Sequence, residues 1–560
     1  MIEQAMSICH SYPQIVIFLA LALGYAIGKI KIKGFSLSST VGVLLAALAL
    51  GQIGVVVPAL VKDIGFALFT FCIGYKVGPQ FFGCLKKDGL KYLWISLVVA
   101  FAGLITAIVL GKLFHFDKGT TAGLLAGAMT QSSAIGTADG AIAHLGVSAA
   151  QKAVLNTNVA VAYAITYLFG TGGLVLFFRI VPKILGKDMK VEAKNLEKQM
   201  MGDSSDLDIT KGLFSWANQL GLRVYKAKND LQGKTVSEVE ALFTARIAID
   251  KIERDGKLID LQQNTIIRNN DIVAILSRRG GFVQAPDLIG PEVEESKATN
   301  VVGEILEICI LNNNAVGKTL KQIGDNRIAH GIFLRQITRQ GHEIPLTQST
   351  VIQKCDIFQV VGDKDAVERA VKQLGYPERP TMITDLITVG IGCVLGTLIG
   401  LLAIPIMGIP ITLGVGGGVL VSGLFFGWLR SIHPTFGQIP GPAQWIFTDF
   451  GLNLFIACVG LTAGAQAVQA LKTTGASVFI AGIILSLLPM IIGLIFGMLV
   501  IKMNFVLLLG ALAGAGTVTP ALNSLQEDAN SSTPVLGYTA PYAFGNVLLT
   551  VWGTILINVM

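Results

Sequence analysis

Apolar residues run along this chain in long blocks joined by short polar connections, and the blocks come in two sets of six. The first set lies at about Tyr12–Ile30, Val41–Val61, Ile64–Phe82, Tyr92–Phe114, Thr120–Ala143 and Val154–Val181. The second lies at about Ile383–Met407, Ile411–Trp428, Phe450–Leu471, Ala476–Ile501, Phe505–Leu525 and Val535–Val559. Most approach the roughly 20 apolar residues that a membrane-crossing helix needs. Between the sets the pattern changes to short β-branched runs around turn signals such as Asp255-Gly and Asn312-Asn-Asn, which predict small α/β modules.

The two apolar sets are copies of one another. Asp63-Ile-Gly-Phe-Ala-Leu-Phe matches Asp449-Phe-Gly-Leu-Asn-Leu-Phe, and the same offset pairs Cys72 with Cys458, Gly74 with Gly460 and Gly78 with Gly464. Ala126-Gly-Ala-Met-Thr-Gln-Ser-Ser-Ala returns as Ala513-Gly-Ala-Gly-Thr-Val-Thr-Pro-Ala, and Tyr163-Ala-Ile-Thr-Tyr resembles Tyr542-Ala-Phe-Gly-Asn. Small residues, hydroxyls and a proline weaken a helix. In lipid such a patch is tolerated only where it faces protein or a watery cavity. Two of them at matching places in two halves mark the binding site of a transporter.

A broken helix offers free N–H groups and a positive dipole end to a carboxylate, and free carbonyls and hydroxyls to a cation. Thr130, Gln131, Ser132 and Ser133, with Thr517, Thr519 and Pro520, are therefore the first candidates for substrate binding; the competing reading is that they glue helices together. Lys76 lies inside an apolar segment and is a candidate counter-charge for a carboxylate, or else a snorkelling anchor. Asp139 could serve a proton or cation, or cap a broken segment. Tyr163 and Tyr542, paired by the repeat, could line the site with Asn546, or anchor at the interface. Gly414-Val-Gly-Gly-Gly lacks the strand and lysine of a phosphate loop and reads as close helix packing. No catalytic constellation, metal cluster or cofactor motif is present in the sequence, so no enzyme activity is expected.

Composition agrees. Apolar residues make up 52% of 560, and charged residues only 14%, as in a polytopic membrane protein. Of the 79 charged residues, 55 fall between Pro182 and Pro380, so a soluble island interrupts two membrane halves. The net charge of +7 needs no nucleic acid. Seven cysteines without paired spacing predict neither disulfides nor a metal site.

Basic residues cluster at 29–33, at 86–91 and at 179–190. Placing all three in the cytoplasm demands an odd number of crossings in the first half. Six segments give five crossings if the Thr-Gln-Ser-Ser segment is re-entrant or broken. The second half then starts from the cytoplasmic island and ends outside, which makes the repeats inverted. The expected domains are a membrane repeat over 1–185, a linker over 186–206 without periodic apolar runs, modules over 207–290 and 291–378, and a second membrane repeat over 379–560.

The island is itself duplicated. Gly233-Lys-Thr-Val-Ser-Glu-Val recurs as Gly317-Lys-Thr-Leu-Lys-Gln-Ile, and Arg254-Asp-Gly as Arg339-Gln-Gly. Asp271-Ile-Val-Ala-Ile-Leu recurs as Asp356-Ile-Phe-Gln-Val-Val. On these repeats and this order the chain resembles the aspartate–alanine exchanger family of bacterial transporters. The island modules are similar to the C-terminal ligand-sensing domains of potassium-uptake regulators. The resemblance implies an α-helical polytopic protein of the bacterial inner membrane, with termini outside and residues 186–378 in the cytoplasm. It implies exchange of small anionic or zwitterionic substrates (amino acids or dicarboxylates), a homodimer in membrane lipid, and a small-molecule regulator of the modules. The competing class is a cation channel or transporter gated by those modules, for which Thr388-Val-Gly-Ile-Gly resembles a potassium filter.

Overall fold

A computed structural model describes residues 2–32, 35–36, 38–83, 90–201, 221–243, 247–259, 264–277, 279–293, 303–324, 332–339, 341–377, 384–406, 409–433 and 437–560. Lys33, Lys86 and Lys87, which enter the orientation argument, lie outside the described residues. The chain forms two units. One joins Met1–Leu196 to Pro380–Met560, and the other is Glu197–Arg379.

The first membrane half runs through α1 (Ile2–Ser11), α2 (Pro13–Gly28), a small hairpin of β1 (Lys31–Ile32) and β2 (Phe35–Ser36), α3 (Ser39–Leu50), α4 (Ala59–Gly83) and α5 (Leu90–Leu113). It continues with α6 (Lys118–Ala128), α7 (Ser133–Ala143), α8 (Ala149–Leu168), a π-helical turn over Phe169–Gly173, and α9 (Leu174–Ile184). Capping residues start several of these helices: Ser38 accepts from the Val41 N–H, Asp117 from Thr120, and Ser148 forms a capping box with Gln151. The stretch expected to be an aperiodic linker instead holds α10 (Met189–Met201). Its buried Met189, Ala193 and Leu196 recur at helical spacing, a stripe hidden among charges.

The second unit contains two similar modules. The first builds an antiparallel sheet in the order β3 (Gly221–Lys226), β6 (Ile272–Ser277), β4 (Ile247–Arg254), β5 (Lys257–Ile259), with α11 (Val236–Glu240) and α12 (Arg279–Leu288). The second has the order β11 (Gly375–Pro377), β7 (Gly303–Ile310), β10 (Ile357–Asp363), β8 (Ile332–Arg339), β9 (His342–Ile344), with α13 (Leu320–Gly324) and α14 (Lys364–Leu374). The repeated Arg and Asp turn out to be one device. Arg254 grips Asp271 through two hydrogen bonds of 2.9 and 2.7 Å and also reaches the Ile266 carbonyl. Arg339 does the same to Asp356, at 2.7 Å twice, and to the Val351 carbonyl. The modules touch through Ala248, Leu276 and Phe333. Ala248 and Phe333 are equivalent positions of the internal repeat, so the two modules use a matching strand position where they meet.

The second membrane half comprises α15 (Leu386–Leu401), a hairpin of β12 (Ala403–Ile406) and β13 (Ile409–Thr412), α16 (Gly414–Ile432), α17 (Gly441–Phe496), α18 (Phe505–Ala515), α19 (Thr519–Ala529) and α20 (Pro534–Val559). The segments expected at Phe450–Leu471 and Ala476–Ile501 lie in a single helical run, α17. The residues between them, Lys472-Thr-Thr-Gly475, include no proline, and the helix runs on through them although threonine and glycine are weak helix formers. Six stretches among the described residues are long and apolar enough to cross a membrane, two of them along α17 and the π-helical turn over Gly497–Ile501 that continues it (Gly441–Gly464 and Gly475–Ile501). Four shorter apolar helices accompany them: Pro13–Gly28, Ser39–Ile53, Leu386–Leu401 and Phe505–Ala515.

The duplicated patches form re-entrant hairpins. A methyl group added at Gly119, Gly123 or Gly127 of α6 would lie 2.2 to 2.6 Å from the carbonyl oxygens of Leu155, Val159 and Tyr163 in turn. So α6 and α8 run parallel in backbone contact, and α7 must return toward the end at which α6 began. In the second half Gly510 and Gly514 of α18 meet the carbonyls of Pro534 and Tyr538 in the same way. The two hairpins therefore do not cross; each enters and leaves at one end.

The repeats are related by an axis lying across their helices. A methyl at Gly65 of α4 would lie 2.9 Å from the Gly451 carbonyl of α17 and 3.2 Å from the Phe455 amide nitrogen. One at Gly451 would lie 2.8 Å from the Gly65 carbonyl and 3.1 Å from the Phe69 amide nitrogen. Gly65 and Gly451 are repeat equivalents, and the Phe66 and Phe455 rings pack tilted with centroids 4.7 Å apart. The crossing is two-fold symmetric and antiparallel, the relation of inverted repeats.

Two outcomes are expected. Asp356→Ala leaves Arg339, 3% exposed, as an unpaired buried charge, which typically costs about 3–5 kcal/mol. Limited proteolysis of the full chain should then cut within Glu197–Arg379, whereas Asp271→Ala, facing the more exposed Arg254, should do less. Gly123→Ala drives a methyl against the Val159 carbonyl, and overpacking of this kind costs about 1–3 kcal/mol. Its thermal midpoint should fall, while Gly140→Ala, with open space around it, should leave the midpoint unchanged.

Candidate functional site

The turns of the two hairpins meet. Thr130 and Thr517 both adopt left-handed backbone, with φ of 52° and 58°, a conformation that costs a β-branched residue about 1–3 kcal/mol. Their hydroxyls lie 3.4 Å apart. The Thr130 hydroxyl reaches the Gly516 carbonyl at 3.2 Å, and the Thr517 hydroxyl reaches the equivalent Met129 carbonyl at 3.3 Å and Gln131 Oε1 at 3.1 Å. Each threonine thus covers the carbonyl end of the other hairpin's entering helix. Ser486 of α17 adds a third donor, to the Ala128 carbonyl.

The returning helices start alike. Ser132 Oγ bonds Tyr163 Oη at 2.7 Å, and its equivalent Thr519 Oγ1 bonds Tyr538 Oη at 2.9 Å. This corrects the expected pairing of Tyr163 with Tyr542. The true partner of Tyr163 is Tyr538, one turn earlier, and Tyr167 matches Tyr542; the ring pairs Tyr163–Tyr167 and Tyr538–Tyr542 both lie at 5.1 Å. The register is set by the glycine–carbonyl contacts, which place Val159 opposite Pro534. Helix α8 therefore carries ten residues before that point that α20 lacks, and an alignment run through the loop slips.

Half of the tip is asymmetric. Gln131 Nε2 donates to Ser133 Oγ at 2.5 Å and Thr550 Oγ1 at 2.8 Å, and lies 3.3 Å from the Asn546 carbonyl. Ser133 also bonds Thr550, and Thr137 donates to the Thr550 carbonyl at 2.6 Å. The second half has Val518 and Pro520 at the positions of Gln131 and Ser133. The Asn546 amide is spent within its own helix, on the Tyr542 carbonyl at 2.8 Å. Among the described residues the backbone N–H groups of Ser132, Ser133 and Thr519 have no acceptor; Pro520 has no N–H to give.

Of the other candidates, Pro520 opens α19 and is exposed, and Tyr542 is half-buried beside the tip. Asp139 neither caps nor stands free: it pairs with Lys62 at 2.6 Å, tying α7 to α4. Lys76 is not joined to the tips. Its side chain is exposed and has no hydrogen-bond or ion-pair partner among the described residues. Its neighbour Val77 packs on Leu424 and Ala543, next to Tyr542. Thr388-Val-Gly-Ile-Gly is helical within α15, so its carbonyls serve the helix and form no filter. Gly416 and Gly418 pack against Phe66 and the Gly396 carbonyl, as close helix packing requires. Thr137, Thr550, Tyr538, Ser486 and Lys62 were not singled out from sequence. Thr550 and Tyr538, each four residues from a chosen residue on α20, share its face.

Comparison with known proteins places these features in a wider set. A family described as a predicted permease membrane region matches residues 16–183 and 388–558, and a TrkA-C domain matches residues 306–375. An uncharacterized transporter of Shewanella oneidensis is 37% identical over 558 residues, 98% of each chain. One of Bordetella parapertussis is 37% identical over 565 residues, 99% of this chain and 98% of the relative. One of Zymomonas mobilis is 34% identical over 563 residues, 99% of each. No solved structure matches.

Exchanging the charges of the α4–α7 tie tests its geometry. Lys62→Asp and Asp139→Lys should each lower the thermal midpoint, by on the order of 1 kcal/mol for a partly exposed pair, and the double exchange should restore it. Single losses that simply add in the double variant would show that the pair contributes nothing.

Proposed function

The chain belongs to the aspartate–alanine exchanger family of predicted permeases, and on that premise we propose that it is a secondary transporter exchanging small carboxylates or amino acids by alternating access. The observation that carries the reading is the meeting of two symmetry-related re-entrant hairpins whose returning helices keep unpaired N–H groups at Ser132, Ser133 and Thr519. A substrate carboxylate would take these N–H groups and the positive helix ends behind them. Thr130, Gln131 and Thr517 would hold the tips in register, and the Ser132–Tyr163 and Thr519–Tyr538 bonds would orient the hydroxyls.

In this reading the protein lies in the bacterial inner membrane with both termini outside. The island modules act from the cytoplasm through a ligand with different affinity for the transporter's states. Solute counterflow into liposomes, screened over aspartate, alanine, glutamate and dicarboxylates, identifies the substrate.

Alanine at Thr130 or Thr517 uncovers a helix-end carbonyl, and alanine at Ser132 or Thr519 releases a tyrosine; each should misplace the N–H groups and weaken equilibrium binding of that substrate by roughly tenfold or more, about the worth of one hydrogen bond to a charged group. Effects confined to one half would abandon a shared site, and no effect in either half would reduce the tips to packing. Cysteines added at both termini should be labelled from outside intact cells, and cysteines in 190–375 should not; a protected N-terminus would overturn the orientation.

A further inference from the structure

We propose that Asp449, Asn453 and Tyr25 form a site for a small monovalent cation, separate from the hairpin tips. Tyr25 of α2 donates its hydroxyl to Asp449 Oδ2 of α17 at 2.5 Å, and this is the only side-chain partner of that carboxylate among the described residues. Asn453, one turn further along α17, is 0% exposed. Its Nδ2 donates to Tyr25 Oη at 3.1 Å and to the Asp449 carbonyl at 2.9 Å. A carbonyl can only accept, so the amide is held in this sense and its oxygen is left buried with no donor. A buried acceptor without a partner normally costs about 1–3 kcal/mol, and something that supplies positive charge would remove that cost.

What remains unspent in the cluster is oxygen: the second carboxylate oxygen, the amide oxygen and a phenol lone pair. There is no spare donor for an anion. One formal negative charge among neutral groups matches a monovalent cation, whereas a divalent ion would leave excess charge in an apolar helix packing. The repeat sharpens the point. Asp63 stands where Asp449 does, but Lys62 precedes it, and Ala67 replaces Asn453. Beside Asp449 stands Thr448, whose hydroxyl is spent on the Gln444 carbonyl at 2.7 Å. The first half places Lys62, tied to Asp139, beside its aspartate; the second has a buried amide oxygen without a donor instead.

Sodium is the probe. Binding of radiolabelled sodium to the purified full-length protein, with choline chloride holding ionic strength, should be saturable. It should weaken by about tenfold or more in Asp449→Asn and Asn453→Ala and be unchanged in Asp63→Asn. Tyr25→Phe, which keeps the ring packing, provides a second variant should Asp449→Asn fail to fold, and should weaken binding in the same direction. Absence of saturable binding, binding indifferent to Asp449→Asn, or a thermal midpoint that follows pH and ignores sodium would each overturn the site. No transported solute enters the assay, so failure of solute counterflow would count against the exchanger reading alone.

Discussion

Everything in the membrane unit depends on the contact between Thr130 and Thr517. A helix that stops in an apolar medium leaves carbonyls and N–H groups that no water can satisfy, each costing several kcal/mol. Here the carbonyl ends of α6 and α18 are covered by each other's threonine hydroxyls. Neither hairpin could end where it does without the other. The left-handed backbone at both threonines is the strain that this mutual arrangement sustains.

Around that contact the frame is symmetric and the decoration is not. The Gly65–Gly451 crossing, the glycine–carbonyl seams and the Ser132–Tyr163 and Thr519–Tyr538 bonds recur in both halves. Gln131 with Ser133 against Val518 with Pro520, and the Lys62–Asp139 pair against Thr448 with Gln526, do not recur. A symmetric frame offers two arrangements of similar energy. Residues present in one half only are the means by which such a protein prefers one of them.

Much of this was legible in the residues. The repeated helix-weakening patches pointed to the tips because small residues and hydroxyls in lipid have few other uses. The repeats of Arg254 and Asp271 in Arg339 and Asp356 showed duplication but not pairing, since seventeen residues of separation carry no contact information until the sheet folds. Thr550 and Lys62 were invisible for a related reason: each is ordinary in its own helix and acquires its role across the interior. The Tyr163 register failed because the longer α8 defeats a constant offset. The continuity of α17 is not legible because Lys472-Thr-Thr-Gly475 is both polar and weakly helical, and only packing in the folded unit carries the helix through it.

The contact of the two modules through Ala248, Leu276 and Phe333 has a further consequence. Two modules carried on one chain meet at an effective concentration set by their linker, commonly in the millimolar range for short connections. Their association is then indifferent to how many copies of the protein the cell makes. A sensor assembled from two separate chains would loosen as expression falls, and its signal would mix abundance with ligand. Written twice in a single polypeptide, this pair is present once for every membrane unit, whatever the level of expression.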